Sequence, residues 1–167
     1  MHGYTREYTA LLATDLRTPD AHATMKSVVD ALWGAFNHDT TAGGISWIGF
    51  YLPDPADAGV LVLGPRRDKP ACSPIGLHGA CGRCYTSGLP LVVTDVANLG
   101  AGYIACDARD RSEVVVPLLD ARGRCTGVLD ADSYDTGAFA EHDARQLHEL
   151  LCRAGLSHGQ CPAVQSV

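Results

Sequence analysis

Three groups of residues have the types and spacing that chemistry can use. The first is a single loop thiol. Cys106 stands in Ile104-Ala105-Cys106-Asp107, within a stretch that carries no apolar periodicity. A cysteine flanked by polar loop residues is a better nucleophile candidate than one inside an apolar run. The competing reading, a small hydrophobe tucked into a core, stays open at this point. The second group is Cys72, Cys81 and Cys84, which share a Gly-rich stretch, and Cys81-Gly82-Arg83-Cys84 is a C-x-x-C. That motif suggests redox exchange or zinc. Thioredoxin-like exchange needs the motif at a strand-to-helix turn of a βαβ unit, and no such pattern surrounds it. Zinc needs four ligands; Cys72, Cys81, Cys84 and Cys106, or a set that includes His78, could supply them. Cys125 falls in an apolar strand pattern and reads as structural, while Cys152 and Cys161 carry no assigned role.

The third group is acidic. Val128-Leu129-Asp130-Ala131-Asp132 puts two carboxylates on the same face of one strand, because strand side chains alternate. Glu113 opens the strand before it. Asp is disfavoured in strands, and three carboxylates on adjacent strands repel unless water, a cation or a proton on one member relieves them. A strand end reaching solvent is the plain alternative. The functional reading is a pocket for a small cationic or zwitterionic ligand. Trp47 and Tyr51 could wall it, with Gly49 leaving room between them.

These side chains need elements to position them. Tyr4, Tyr8, Leu11 and Leu12 follow helical spacing. After Pro19, Asp20 can cap a second helix whose stripe is Met25, Val28, Val29, Leu32, Trp33 and Phe36. Strands are expected at Ile45 to Leu52, Gly59 to Leu63 and Leu91 to Thr94, with a short helix around Cys81 and a long loop from Asp95 to Asp110. Glu113 to Leu119 and Cys125 to Asp132 read as a hairpin around Arg122-Gly123. Ala140, Ala144, Leu147, Leu151 and Ala154 line one face of a last helix that Gly155 stops. The order predicts an α+β architecture: a central antiparallel sheet covered by helices on one face. Residues 1–156 are expected to form one domain, and 157–167 a flexible tail.

Composition narrows the function classes. The chain of 167 residues carries a net charge of −6, which argues against nucleic acid, whose phosphates need clustered Lys and Arg. Arg66, Arg67 and Lys69 cluster, but Asp68 interrupts them. The apolar run Val114 to Leu119 is too short to span a bilayer, and the first residues lack the apolar core of a signal peptide. The expectation is a cytoplasmic protein. Its seven cysteines, an odd number, do not form a complete disulfide framework.

Taken together, several segments resemble the free methionine-(R)-sulfoxide reductases. They are Trp47-Ile48-Gly49-Phe50-Tyr51, Leu63-Gly64-Pro65, Lys69-Pro70-Ala71-Cys72, Cys81-Gly82, Ile104-Ala105-Cys106-Asp107, Ser112 to Leu118, and Gly127 to Ser133. They occur in that family's order and cover most of the chain from Trp47 to Ser133. Arg66-Arg67-Asp68, His78, Ala80, Tyr103 and Cys84 depart from its pattern. The resemblance implies a GAF fold and a homodimer. It implies Cys106 as nucleophile, Cys72 and Cys81 as partner cysteines, and Glu113, Asp130 and Asp132 as pocket carboxylates with Trp47 and Tyr51 beside them. It also implies free methionine sulfoxide as substrate, selectivity for the R epimer, thioredoxin as reductant, and neither a cofactor nor a metal. A sulfoxide sulfur is electrophilic, but its oxygen leaves only when protonated, so a thiolate and an acid must act together. A ligand-sensing GAF domain and a zinc-bound regulatory module are the alternatives.

Overall fold

The chain alternates between helical and strand periodicities, and the structure, a computed structural model, follows them through residues 4–67, 69–100, 103 and 105–167. Four helices form: α1 Thr9–Leu12, α2 Ala21–Phe36, α3 Ala80–Ser87 and α4 Glu141–Arg153. The strands are β1 Trp47–Pro53, β2 Val60–Arg67, β3 Ile75–Gly76, β4 Leu91–Val93, β5 Ser112–Leu119, β6 Cys125–Ser133 and β7 Gln165–Ser166. They make one sheet in the order β3-β2-β1-β6-β5-β4-β7. Every pairing is antiparallel except that of β4 with β7.

Asp20 caps α2 as expected, its carboxylate accepting from the Ala23 amide at 2.7 Å. The α2 stripe buries Met25, Val28, Val29, Leu32 and Phe36 against Ile48, Phe50, Val114, Val116, Leu129 and Ala131 of the sheet and against Leu147 and Leu151 of α4. The other sheet face was expected to be open. It is covered as well: Trp47, Tyr51, Val115 and Val128 pack with Cys81 and Cys84 of α3 in a second core. The reason lies in β5, whose residues are buried from end to end, as a strand enclosed on both faces must be. β2 runs four residues past its expected end at Leu63, because beyond a register shift at Gly49/Tyr51 it still pairs with β1.

The segment from Ser157, expected to be loose, is tied down. The Leu119 amide donates to the Ser157 hydroxyl at 2.9 Å. The Gln165 and Val167 amides donate to the Pro90 and Val92 carbonyls, each at 2.9 Å. The short β4 otherwise exposes an edge of unpaired amides, and the last residues satisfy it. No hydrophobic alternation in Gln160 to Val167 announces this, since the pairing uses backbone alone.

A buried polar knot fixes the N-terminal segment on the helical layer. Asp143, at the start of α4, accepts from Arg6 at 3.2 Å, from the Tyr8 hydroxyl at 2.8 Å and from the Ala140 amide at 2.9 Å. Arg6 and Asp143 are 3% and 1% exposed, so removing one partner strands a desolvated charge. Arg6→Met is expected to destabilise the protein by about 3 kcal/mol in urea unfolding. A loss below about 1 kcal/mol would show that the pair behaves like a surface ion pair.

Candidate active site

Strand register gathers the acidic residues. Glu113 of β5 lies directly opposite Asp132 of β6, and Asp130 lies two residues along on the same face, opposite Gly49 of β1. One carboxylate oxygen from each of the three lies within 4.8 Å of the others. Trp47 faces Asp132 across the β1–β6 ladder, and the Trp47 and Tyr51 rings stand 5.9 Å apart. Gly49 between them is required: a Cβ there would come within 2.6 Å of the Trp47 ring and 2.8 Å of Arg66 Cβ.

These residues line a cavity of about 300 Å³, whose wall also includes Cys72, Cys81 and Cys106. The eight site residues that the resemblance implies therefore all lie in the wall of one cavity. The cysteines divide sharply. Cys72 and Cys106 are joined by a disulfide, with Cα atoms 5.6 Å apart, and both are exposed. Cys81 is free and buried on the acidic floor, its thiol donating to Asp130 Oδ2 at 3.2 Å. Cys84 is free and fully buried in the second core. The C-x-x-C is thus not bridged, and the four-cysteine zinc set weighed above cannot form while Cys72 and Cys106 are joined to each other. Its Gly82 serves packing: a Cβ there would lie 2.2 Å from the Leu77 backbone.

Burial governs the electrostatics. Glu113 Oε1 and Asp130 Oδ1 are enclosed with no hydrogen-bond partner among the described residues. Desolvation, and then the Asp130 charge, pushes both Glu113 and Asp132 well above the usual carboxylate range. Desolvation pushes Asp130 up to about 7, opposed by the Cys81 hydrogen bond. Burial followed by the Asp130 charge raises the Cys81 thiol far above its ordinary value, so it remains a thiol at neutral pH. The floor can therefore hold protons at pH 7 and still present negative charge, which suits an ammonium group or a hard cation.

The sequence reading gave Trp47 and Tyr51 a place in the wall but no role to Lys69, Asp107, Asp110 or Tyr103. The Trp47 indole donates to the Lys69 carbonyl at 3.1 Å, and the Tyr51 hydroxyl to the Cys72 carbonyl at 2.8 Å. The strap 69–72 thus hangs from the two aromatics. Lys69 Nζ donates to Asp107 beside Cys106 and, at 3.3 Å, to the buried Asp110. Tyr103 also stands in the wall, beside Glu113. A lysine and two aspartates some forty residues apart in a chain give no periodic signal; only the Lys-Pro-Ala-Cys and Ala-Cys-Asp neighbourhoods hint at them.

Comparison with known proteins places this geometry. The GAF domain family model matches residues 20–156. The chain is 36% identical over 120 residues to a free methionine-R-sulfoxide reductase of Saccharomyces cerevisiae, covering 71% of this chain and 65% of that protein. It spans just under two thirds of the length of the curated relatives that it matches at this level. Its fold is similar to that of the free methionine-R-sulfoxide reductase of Neisseria meningitidis solved with its substrate, with TM-score 0.74 and 36% identity, covering 92% of each chain. It is also similar to the reduced form of fRMsr of Staphylococcus aureus, with TM-score 0.76 and 30% identity, covering 92% of this chain and 96% of that one.

The raised carboxyls make a testable stability signature. The folded protein keeps protons that the unfolded chain releases. The contribution of these groups to stability is therefore greatest below the unfolded carboxylate value of about 4 and is lost as pH rises through the folded values, about 7 for Asp130. Asp130→Asn removes the charge and keeps an acceptor for Cys81. It is expected to raise Tm at pH 8 by about 4 °C or more, with a much smaller gain at pH 5. A variant that melts below the wild type at pH 8 would contradict this.

Proposed function

The chain belongs to the GAF domain family, in the group of the free methionine-R-sulfoxide reductases, and on that footing we propose that it reduces free L-methionine-(R)-S-oxide to L-methionine. The observation that carries the reading is an exposed Cys72–Cys106 pair opening onto a floor of proton-holding carboxylates.

In this reading the Cys106 thiolate attacks the sulfoxide sulfur while a floor carboxyl protonates the departing oxygen. That oxygen passes to the Cys106 sulfur: the methionine S–O bond breaks, a Cys106 S–O bond forms, methionine leaves and Cys106 becomes a sulfenic acid. Cys72 condenses with it, and water and a disulfide result. A thioredoxin-type dithiol then restores both thiols by exchange. The floor carboxylates that remain ionised pair with the substrate ammonium, and Trp47 and Tyr51 flank its side chain. Cys72 rather than Cys81 is assigned as the resolving residue. Its support is the bridge to Cys106, together with the burial and raised pKa of the Cys81 thiol. Cys81 instead donates a hydrogen bond to Asp130 and so influences which floor oxygen carries the proton. Selectivity for the R epimer follows the names of the relatives. A homodimer and a cytoplasmic setting complete the proposal; among the described residues no helix is long and apolar enough to cross a membrane.

The roles separate experimentally. Cys106→Ser is expected to abolish methionine formation even with dithiothreitol; activity within about tenfold of wild type, roughly 1.4 kcal/mol, would sink the assignment. Cys72→Ser should still release about one methionine per subunit in a single turnover yet fail to cycle with thioredoxin. Glu113→Gln, Asp130→Asn and Asp132→Asn separate the acid from the binding groups. Loss of the acid lowers kcat by about a hundredfold or more, whereas loss of an ammonium partner mainly raises KM. An N-acylated methionine sulfoxide, which lacks the ammonium, should be a poor substrate. Equal rates for the free and acylated forms would refute the carboxylate floor as the recognition element.

A further inference from the structure

The strap and the nucleophile loop are joined twice, once by the disulfide and once by charge. Lys69 stands three residues before Cys72, and Asp107 directly follows Cys106. The Lys69 ammonium bonds Asp107 Oδ2, the Tyr134 hydroxyl at 3.2 Å and Asp110 Oδ1 at 3.3 Å. Asp110 is itself held by the Ser46 hydroxyl at 2.8 Å. The Tyr134 ring lies 4.7 Å from Lys69 Nζ and 4.6 Å from the Arg109 guanidinium, and Arg109 grips Asp107 at 2.8 Å. The Lys69 and Asp107 side chains are only 19% and 15% exposed, so bulk water screens this contact less than an ordinary surface pair.

The two thiols are 34 residues apart in the chain. Once the disulfide is reduced, nothing covalent keeps them adjacent. The groups of the charge network, an ammonium, two carboxylates and a phenol, carry no redox chemistry of their own. Burial pulls the Lys69 ammonium down, but the Asp107 and Tyr134 hydrogen bonds and the Asp110 charge outweigh it, and the net shift is upward. The hydrogen bonds from Arg109 and then Lys69 hold Asp107 below the usual carboxylate range. Both partners therefore stay charged around neutrality.

We propose that Lys69 is a positioning residue for the second half of the cycle: its ion pair with Asp107 keeps the Cys72 thiol beside Cys106 in the reduced protein, so that the sulfenic acid is resolved before it is lost. The inference rests on the reaction proposed above. In the step concerned, the Cys72 sulfur displaces hydroxide from the Cys106 sulfenic sulfur. An S–O bond breaks, an S–S bond forms, and the thiol proton leaves with the hydroxyl as water. No further oxidant enters. Holding two groups in place raises their effective concentration. A clasp that holds them therefore acts on this step and leaves the first attack, which needs only Cys106 and the floor, untouched.

The test compares wild type with Lys69→Met, Asp107→Asn and Lys69→Arg. Expected for the first two is wild-type release of methionine in a single turnover, with turnover on thioredoxin lower by about tenfold or more. Dimedone should trap a larger fraction of Cys106 as sulfenic acid in these variants. Dithiothreitol, which can reduce a sulfenic acid directly, should recover much of the lost turnover. Lys69→Arg keeps the charge and should cycle close to wild type; it also separates a lost clasp from a damaged fold if Lys69→Met expresses poorly. If Lys69→Met and Asp107→Asn both cycle with thioredoxin at the wild-type rate, or trap no extra sulfenic acid, the clasp is overturned while the reaction stands. A wild-type protein that releases no methionine in a single turnover overturns the reaction itself, and the clasp with it.

Discussion

Three carboxyl groups confined to one desolvated face of a sheet are the constraint from which the rest of this molecule follows. Strand register sets Glu113 against Asp132 and places Asp130 beside them, and α3 closes over them. Burying three negative charges together costs far more than an ordinary domain can spare. The cluster survives by keeping protons, as the upward shifts of all three groups record. The same arrangement that penalises ionisation creates an acid at neutral pH. A site of this kind is electrostatically expensive and chemically useful for one reason: charge that cannot be solvated is held as a proton that can be transferred.

The cysteines sort themselves around that floor by solvation. Cys81 sits on the acids, where burial and negative neighbours suppress its thiolate. Cys84 fills apolar space. Only Cys72 and Cys106 reach the rim, where solvent can stabilise a thiolate and a second protein can approach. A thiol that must attack and a carboxyl that must stay protonated have opposite needs. The fold meets both by putting them at different depths of one cavity, the acid at the bottom and the thiols at the mouth.

The roof depends on the aromatics more than on its own sequence. Trp47 and Tyr51 are core residues by burial, but each spends its one polar atom on the backbone of the strap 69–72. The wall and the lid are therefore mechanically one piece, and Gly49 makes it possible by letting the indole lie flat on β1.

How much of this was legible beforehand divides along a physical line. Periodicity alone places α2, the β5–β6 hairpin and α4, because each follows from which residues must leave water. The same alternation puts Asp130 and Asp132 on one face, and the loop setting of Cys106 marks it as a candidate. The sequence by itself determined the longer elements and the chemical types in the site. Tertiary structure decided the rest. The apolar run of β5 is compatible with one covered face or two, and only the insert's return over the sheet selects two. The pairing of β7 with β4 is written in backbone hydrogen bonds, which leave no side-chain pattern to read. Which cysteine meets Cys106, and which lysine reaches Asp107, depends on how loops cross in space. Those contacts join residues 34 and 38 positions apart, and a separation of that kind carries no period, so only the folded chain can reveal it.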